Sequence, residues 1–202
     1  MPVRHHLPAD ERRTATVEAV VELAAKQNPS DITTAAIAQH MGLTQGALFR
    51  HFPTKDAVMQ AVMAWVTDRL LGRVDEAIAN APTPVAGLEA AFMAHVDFVV
   101  RHPGVPRMLF GELQRPAATP TKKVVKALLQ QYAKRVATLL AAGKAQGALD
   151  AKLDVDAATI AFVGTFQGLV MRTLLVGTPS LMRREAGAVF AIYLRGIGGG
   201  TP

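Results

Sequence analysis

Residues 34–56 constrain the fold of this chain more than any other segment. Their sequence, TAAIAQHMGLTQGALFRHFPTKD, has the pattern of two short helices joined by a glycine turn and followed by the start of a third helix. Ala38 is small enough for two helices to cross closely, Gly42 can adopt the positive φ of a tight turn, and Leu48 can pack back onto the preceding helix. This spacing predicts a helix-turn-helix.

The rest of the chain has helical periodicity, with no alternating strand pattern and no internal repeat. Proline and glycine mark the breaks, as at Asn28-Pro29 and at His102-Pro103-Gly104. The sequence therefore predicts an all-α fold of about nine helices. We expect an N-terminal three-helix domain containing the helix-turn-helix over residues 1–55 and a C-terminal helical domain over residues 56–202.

Composition excludes several classes of site. Half of the 202 residues are hydrophobic, which is enough for an ordered core, and the absence of cysteine excludes disulfides, thiolate metal sites and cysteine nucleophiles. The N-terminus lacks the apolar segment of a secretory signal. Residues 157–177 are long and apolar enough to cross a membrane, but Gln167 and Arg172 lie inside this stretch and favour a helix buried in a protein–protein interface.

The distribution of charge gives only local support for nucleic-acid binding. The net charge is +6, yet residues 1–60 carry equal numbers of basic and acidic residues, and the whole excess lies in residues 61–202. Within residues 40–55 there is no acidic side chain. The basic and imidazole groups of this segment are His40, Arg50, His51 and Lys55.

Around the turn the sequence resembles the TetR family of bacterial transcriptional regulators. The matching positions are Ile37-Ala38, Gly42, Thr44, Phe49, His51-Phe52 and Lys55-Asp56. HPGVPRMLFGEL, at 102–113, is also similar to a central stretch of that family. The resemblance implies a cytoplasmic homodimer that binds palindromic double-stranded DNA, and a C-terminal domain that dimerises and often holds a small molecule. The family usually has tyrosine where this chain has Phe49, so a hydroxyl contact with phosphate is lost.

We predict that bases are read from the start of the second helix of the motif. Gln45 can pair with adenine through two hydrogen bonds, and Thr44 can contact a thymine methyl group or simply cap the helix. Gly46 is small enough for close approach to the groove floor, and Arg50 lies one turn further on, where it suits guanine or phosphate.

Phosphate contacts are predicted on either side of the base-reading residues. The candidates are Thr33, Thr34, Phe49, His51 and Lys55. Lys55 stands in the first turn of a helix, where the dipole disfavours a cation, so a nearby phosphate would explain it; the alternative is an ordinary solvated lysine. The first nine residues form an arm that either enters the minor groove or is disordered, and it carries Arg4, His5 and His6.

Two sets of residues are predicted for the C-terminal domain. The candidates for an apolar ligand pocket, each of which could equally be plain core, are Phe92, His95, Val96, Val99, Met108, Phe110, Tyr132, Phe162 and Phe166. Asp97 either faces solvent or faces that pocket, where it would favour a cationic ligand. The dimer-interface candidates are Gly164, Gly168, Val189, Phe190 and Tyr193.

The sequence thus predicts a sequence-specific DNA-binding regulator, and the leading interpretation is a repressor that a small molecule releases from its operator. The alternative is a DNA-bound interaction adaptor without an effector. An enzyme is not expected, since the chain has no HExxH, P-loop or GxSxG motif and no paired-carboxylate motif. No cofactor or metal ion is expected either, because His95 and His102 share a helix face without a carboxylate nearby.

Overall fold

A computed structural model of the chain describes residues 9–198, and these residues form nine α-helices and no strand. This confirms the all-α fold. The arm residues Arg4, His5 and His6 lie outside the described range. In chain order the helices are α1 (Ala9–Lys26), α2 (Thr34–His40), α3 (Gln45–Phe49), α4 (Lys55–Ala79), α5 (Pro84–Arg101), α6 (Gly104–Gln114), α7 (Pro120–Ala145), α8 (Val155–Val176) and α9 (Pro179–Gly196).

Side-chain caps set the helix starts that the sequence predicts. Thr33 and Thr44 accept hydrogen bonds from the third residue beyond them, over 3.1 and 3.2 Å. Thr54 does the same for α4 over 3.0 Å, and Asp154 caps α8. Such caps satisfy backbone N–H groups that the first turn of a helix leaves free. One element was not predicted, a single 3-10 turn at Pro29–Asp31 between α1 and α2.

By contact, the described residues divide into two compact units that do not follow chain order. The first contains the described residues up to Thr67 together with His102–Val125, and the second contains Asp68–Arg101 with the chain from Lys126 onward. Residues of α6 join the first unit because this helix packs on α1. The functional boundary after residue 55 stays a prediction.

In the first unit, α1 and α6 approach each other closely. The apolar stripe of α1, with Val17, Val20 and Ala24, is buried. Gly104 begins α6 against this helix: a Cβ there would lie 2.3 Å from the carbonyl oxygen of Val21. Only a residue without a side chain permits this crossing.

In the second unit, α5, α8 and α9 enclose an aromatic core. Phe92 of α5 meets Phe162 of α8 edge-on, with ring centroids 5.5 Å apart, and Phe190 of α9 at 5.3 Å. Among the described helices, α8 alone has the length and apolarity that a membrane span requires, and 33% of that apolar window is buried within the protein. Arg172, inside α8, forms a two-bond ion pair with Glu185 of α9 at 2.7 and 2.9 Å.

Candidate nucleic-acid interface

The turn between α2 and α3 depends on one glycine. Gly42 adopts a φ of +65°, the left-handed region that favours glycine. The N–H of Gly42 donates to Gln39 O over 3.1 Å, and the N–H of Leu43 donates to Ala38 O over 2.8 Å. These two bonds are those of a Schellman motif, which ends α2 and reverses the chain. The helix-turn-helix of the sequence prediction is therefore present.

A small apolar core holds α3 in place. Ile37 and Ala38 of α2 are buried, as are Leu48 of α3 and Phe52 just after it. Arg13 of α1 adds two polar contacts. Its guanidinium lies 4.6 Å from the centroid of the Phe52 ring, and its Nη1 donates a hydrogen bond to the backbone carbonyl of His51 over 3.0 Å. The C-terminal end of the short α3 is thus fixed by buried apolar side chains and by the exposed Arg13.

The opposite face of α3 is open. Gln45, Gly46 and Arg50 are exposed, and no atom lies within 4 Å of the position that a Cβ on Gly46 would occupy. Thr44 is also exposed and caps α3, so the capping role that the sequence allowed is realised. The Gln45 amide has a partner: its Nε2 donates to Thr34 Oγ1 over 2.9 Å. The four predicted base-reading residues are therefore all exposed, and Gln45, Gly46 and Arg50 form the accessible edge of α3.

The predicted phosphate-contacting residues differ in their exposure and in their hydrogen-bond partners. Thr33 is exposed and caps α2, which uses its hydroxyl oxygen but leaves the hydroxyl hydrogen free to donate. Phe49 is 42% exposed although it is a large apolar side chain, and His51 is half-buried. The Lys55 ammonium donates to the carbonyl of Ser30 in the 3-10 turn over 2.9 Å, so this lysine already has a protein partner.

The predicted pocket residues fall into both units. Met108 and Phe110 belong to α6, in the first unit. In the second unit, Phe92, Val96, Val99 and Phe162 are buried with Phe166. The sequence cannot divide such a set, because apolar periodicity identifies a buried face but does not say which core that face joins.

A polar pair stands out within the second unit. The His95 ring stacks on Phe166, and its centroid lies 5.0 Å from that of the Tyr132 ring. The Nδ1 atom of His95 and the hydroxyl of Tyr132 are buried without a hydrogen-bond partner. Burial lowers the pKa of His95 to about 3 and raises the pKa of Tyr132, so both groups are neutral at ordinary pH.

Asp97 does not offer a free carboxylate to a ligand. Its Oδ1 accepts a hydrogen bond from Arg183 Nε over 2.7 Å. Both side chains of this ion pair are exposed, which favours the alternative that Asp97 faces solvent. In the part of the chain that the structure describes, no group of three or more histidine, aspartate or glutamate side chains could hold a metal ion.

The predicted dimer residues separate into exposed and buried members. Gly164 and Gly168 are exposed on α8, with open space where a Cβ would lie, and Val189 is half-buried. Phe190 and Tyr193 are only 2% and 8% exposed, because both pack into the aromatic core, where the Tyr193 hydroxyl donates to Ala158 O over 3.0 Å. These two residues therefore stabilise their own protomer and do not present a surface to a partner.

The exposed apolar face of α8 and α9 carries residues that the sequence reasoning missed. Ile160 is 73% exposed and Leu175 is 81% exposed on α8, and Ile192 is similarly open on α9. Helical spacing relates Ile160 to Gly164 and Gly168, so the signal was present in the sequence. The sequence prediction includes Gly164 and Gly168 on this side of α8 but not the large exposed side chains beside them.

Comparison with known proteins identifies the family. Residues 17–62 match the family model described as bacterial regulatory proteins, tetR family, and residues 116–189 match the model described as tetracyclin repressor-like, C-terminal domain. This chain belongs to the TetR family. The first match contains α2, the glycine turn and α3, the elements that carried the sequence resemblance.

Curated relatives of this TetR-family chain cover part of its length. It is 27% identical over 100 residues to nucleoid occlusion factor SlmA of Marinomonas sp. (strain MWYL1), a match that covers 50% of this chain and 51% of the relative. It is 30% identical over 107 residues to SlmA of Idiomarina loihiensis, covering 52% and 55%. The chain thus spans about half the length of the curated relatives that it matches.

Solved structures with the same fold cover nearly the whole chain. The ketosteroid transcriptional regulator KstR2 of Mycobacterium tuberculosis superposes with a TM-score of 0.78 at 24% identity, over 93% of this chain and 95% of that one. The regulator FadR from Bacillus subtilis, solved in complex with stearoyl-CoA, gives 0.79 at 17% identity, over 93% and 99%. At these identities the likeness establishes the fold.

Proposed function

We propose that this protein is a homodimeric transcriptional regulator that reads a palindromic operator with α3. The leading form of this proposal is a repressor that a small molecule releases from DNA. The observation that carries the proposal is the accessible edge of Gln45, Gly46 and Arg50 on a helix whose other face is anchored in a core. A recognition helix needs this combination of a rigid seat and a polar, uncovered face. Such a protein works in the cytoplasm, at the nucleoid when bound to DNA.

Two acidic groups near this edge are engaged in ion pairs, which supports an approach to DNA. Asp56, next to Lys55, pairs with Arg115 at 3.2 Å. Glu22 of α1 lies 2.9 Å from His40 Nε2 at the end of α2. Both carboxylates are therefore offset by a neighbouring cation or a hydrogen-bond donor, which lowers the repulsion that a phosphate backbone would meet.

DNA selection and gel shifts test the reading role. The dimer is incubated with a randomised duplex library, and the enriched sites should be palindromes with half-site centres one helical turn apart. On the best site, Gln45→Ala and Arg50→Ala should each weaken binding by about 1–3 kcal/mol. Gln146→Ala, an exposed residue just beyond α7, is the matched control and should bind as wild type. Unchanged affinity and base preference in both α3 variants would refute this assignment.

The exposed face of α8 and α9 supports the homodimer. Ile160, Gly164, Gly168 and Leu175 share one side of α8 and would bury a continuous apolar surface against a second copy. Ile160→Glu should shift the protein from dimer to monomer in sedimentation equilibrium, because a charge in the centre of an apolar interface is costly. The exposed loop variant Ala151→Glu should remain a dimer; a dimeric Ile160→Glu would contradict this interface.

The polar pair in the second unit supports an effector site. A buried hydroxyl without a partner costs free energy, and a ligand oxygen that satisfies it recovers this loss. Tyr132 could donate to a ligand oxygen, and His95 Nδ1 could accept from or donate to the same group, beside the rings of Phe92, Phe162 and Phe166. Because both groups are neutral, the effector proposed here is a largely apolar molecule with an uncharged carbonyl or hydroxyl. FadR from Bacillus subtilis, of the same fold, was solved with stearoyl-CoA.

A thermal-shift screen tests the effector site. Apolar ketones and alcohols are compared with matched hydrocarbons, and stabilising compounds are then assayed for release of the protein from DNA. Tyr132→Phe should fold at least as stably as wild type, because it deletes an unsatisfied hydroxyl, and should lose the ketone response. A retained ketone response in Tyr132→Phe would refute the role of this pair.

The similarity to SlmA favours a second candidate, a DNA-bound adaptor without an effector. Its relatives of that name are described as nucleoid occlusion factors. An adaptor predicts specific DNA binding with no stabilisation by any compound in the panel and no ligand-induced release. The repressor proposal predicts that a compound both stabilises the protein and releases it from DNA.

A further inference from the structure

The first residues of the two motif helices are joined by their side chains. Thr34 begins α2 and Gln45 begins α3, and Gln45 Nε2 donates to Thr34 Oγ1 over 2.9 Å. The hydroxyl oxygens of the neighbouring threonines, Thr33 and Thr44, are occupied as helix caps. Thr34 thus supplies a hydroxyl acceptor at this edge that no cap has taken.

This contact fixes which end of the Gln45 amide faces which way. A glutamine amide has an oxygen that accepts and a nitrogen with two N–H donors. A free side chain can rotate and contact many bases through single hydrogen bonds. When Thr34 holds one N–H, the second N–H and Oε1 remain available as a donor–acceptor pair.

We propose that Thr34 is a positioning residue for base recognition, which holds the Gln45 amide in the orientation that pairs with adenine. Adenine presents an acceptor at N7 beside a donor at N6, which complements the free N–H and Oε1 of Gln45. Guanine presents two acceptors at the same place, N7 and O6, so the glutamine oxygen would face another oxygen. The inference rests on the proposed DNA-reading function and adds a base preference to it.

Thr34 also retains a donor of its own. Its oxygen accepts from Gln45, but its hydroxyl hydrogen stays available for a phosphate oxygen. The predicted phosphate contact and the positioning role are therefore compatible, and hydrogen bonds in series strengthen one another. The two roles differ in what their loss does: a phosphate contact alone carries no sequence information, whereas a lost positioning contact changes base preference.

Sequence selection from a randomised duplex library separates the two roles. Wild type, Gln45→Ala, Thr34→Val and Thr34→Ser are compared as full-length dimers. Valine keeps the β-branched shape of threonine, so α2 is preserved, while serine restores the hydroxyl. The position whose preference disappears in Gln45→Ala identifies the base pair that Gln45 reads.

At that position Thr34→Val should lower the preference for adenine over guanine by about fivefold or more, and Thr34→Ser should keep it. Preferences at the other positions should not change. If Thr34→Val retains the wild-type adenine preference, or weakens binding equally to all sequences, the positioning role is refuted while the proposed function stands. A wild-type protein that enriches no sequence refutes the proposed function and this inference with it.

Discussion

Replacement of Gly104 by alanine tests how the reading unit is held together. Gly104 is the first residue of α6 and lies against the backbone of α1. The added methyl carbon would lie 2.3 Å from Val21 O, 2.7 Å from Ala25 N and 2.9 Å from the carbonyl carbon of Ala24. All three atoms belong to helical backbone, so no side-chain rotation can relieve the overlap.

The size of the effect follows from the required movement. An ordinary C···O contact is about 3.3 Å, so α6 would have to withdraw from α1 by about 1 Å. A gap of this size forfeits a quarter to a half of the dispersion energy of the atoms that line it. Overpacking of a core costs about 1–3 kcal/mol, and backbone against backbone belongs at the upper end of that range. We expect Gly104→Ala to lose about 3 kcal/mol of unfolding free energy, or roughly 6–12 °C in Tm.

Gly111→Ala in the same helix is the matched control. No atom lies within 4 Å of a Cβ at Gly111, which is exposed inside α6. Because alanine favours helix over glycine by up to about 1 kcal/mol, this variant should be as stable as wild type or more so. Thermal and urea unfolding are followed by circular dichroism at 222 nm without DNA. Equal midpoints for the two variants would refute the close packing of α6 on α1.

Three further predictions concern named residues. Burial lowers the pKa of His95 from its ordinary 6.5 to about 3, so between these values the unfolded chain binds a proton at this histidine and the native state does not. The free energy of unfolding should therefore fall by about 1 kcal/mol between pH 7 and 5.5. The variant His95→Phe, measured by urea unfolding, should lose this part of the pH dependence. Gly46→Ala has free space in the protein and should fold normally but bind the operator more weakly in gel shifts, and wild-type binding would show that α3 does not approach the groove floor closely. Gly42→Ala, at a φ of +65°, should cost about 1–2 kcal/mol in thermal unfolding, and an unchanged Tm would contradict the left-handed turn.

Much of the helix-turn-helix could be predicted because its determinants are local. Thr33 and Thr44 cap helices through bonds to residues three positions on, and the Gly42 turn closes over six residues. Interactions of this range are encoded in short sequence patterns.

The parts that escaped prediction depend on distant packing. The sequence places His95 and Tyr132 in one candidate pocket, but no periodicity predicts that their rings meet across α5 and α7 or that their polar atoms lack partners. The burial of Phe190 and Tyr193 within their own protomer has a similar origin. A helical pattern shows that these residues share a face, but the shape of the whole core decides that they point inward while Ile192 points outward.

The discontinuous first unit has a consequence for protein engineering. A chimaeric regulator joins the DNA-reading segment of one protein to the ligand-sensing segment of another. A junction at residue 55 would transfer α1, α2 and α3 without α6. The Val21–Ala25 segment of α1 would then lose the helix that packs against it. A working hybrid has to carry His102–Val125 along with the reading helices, so the transferable module is two pieces of chain rather than one.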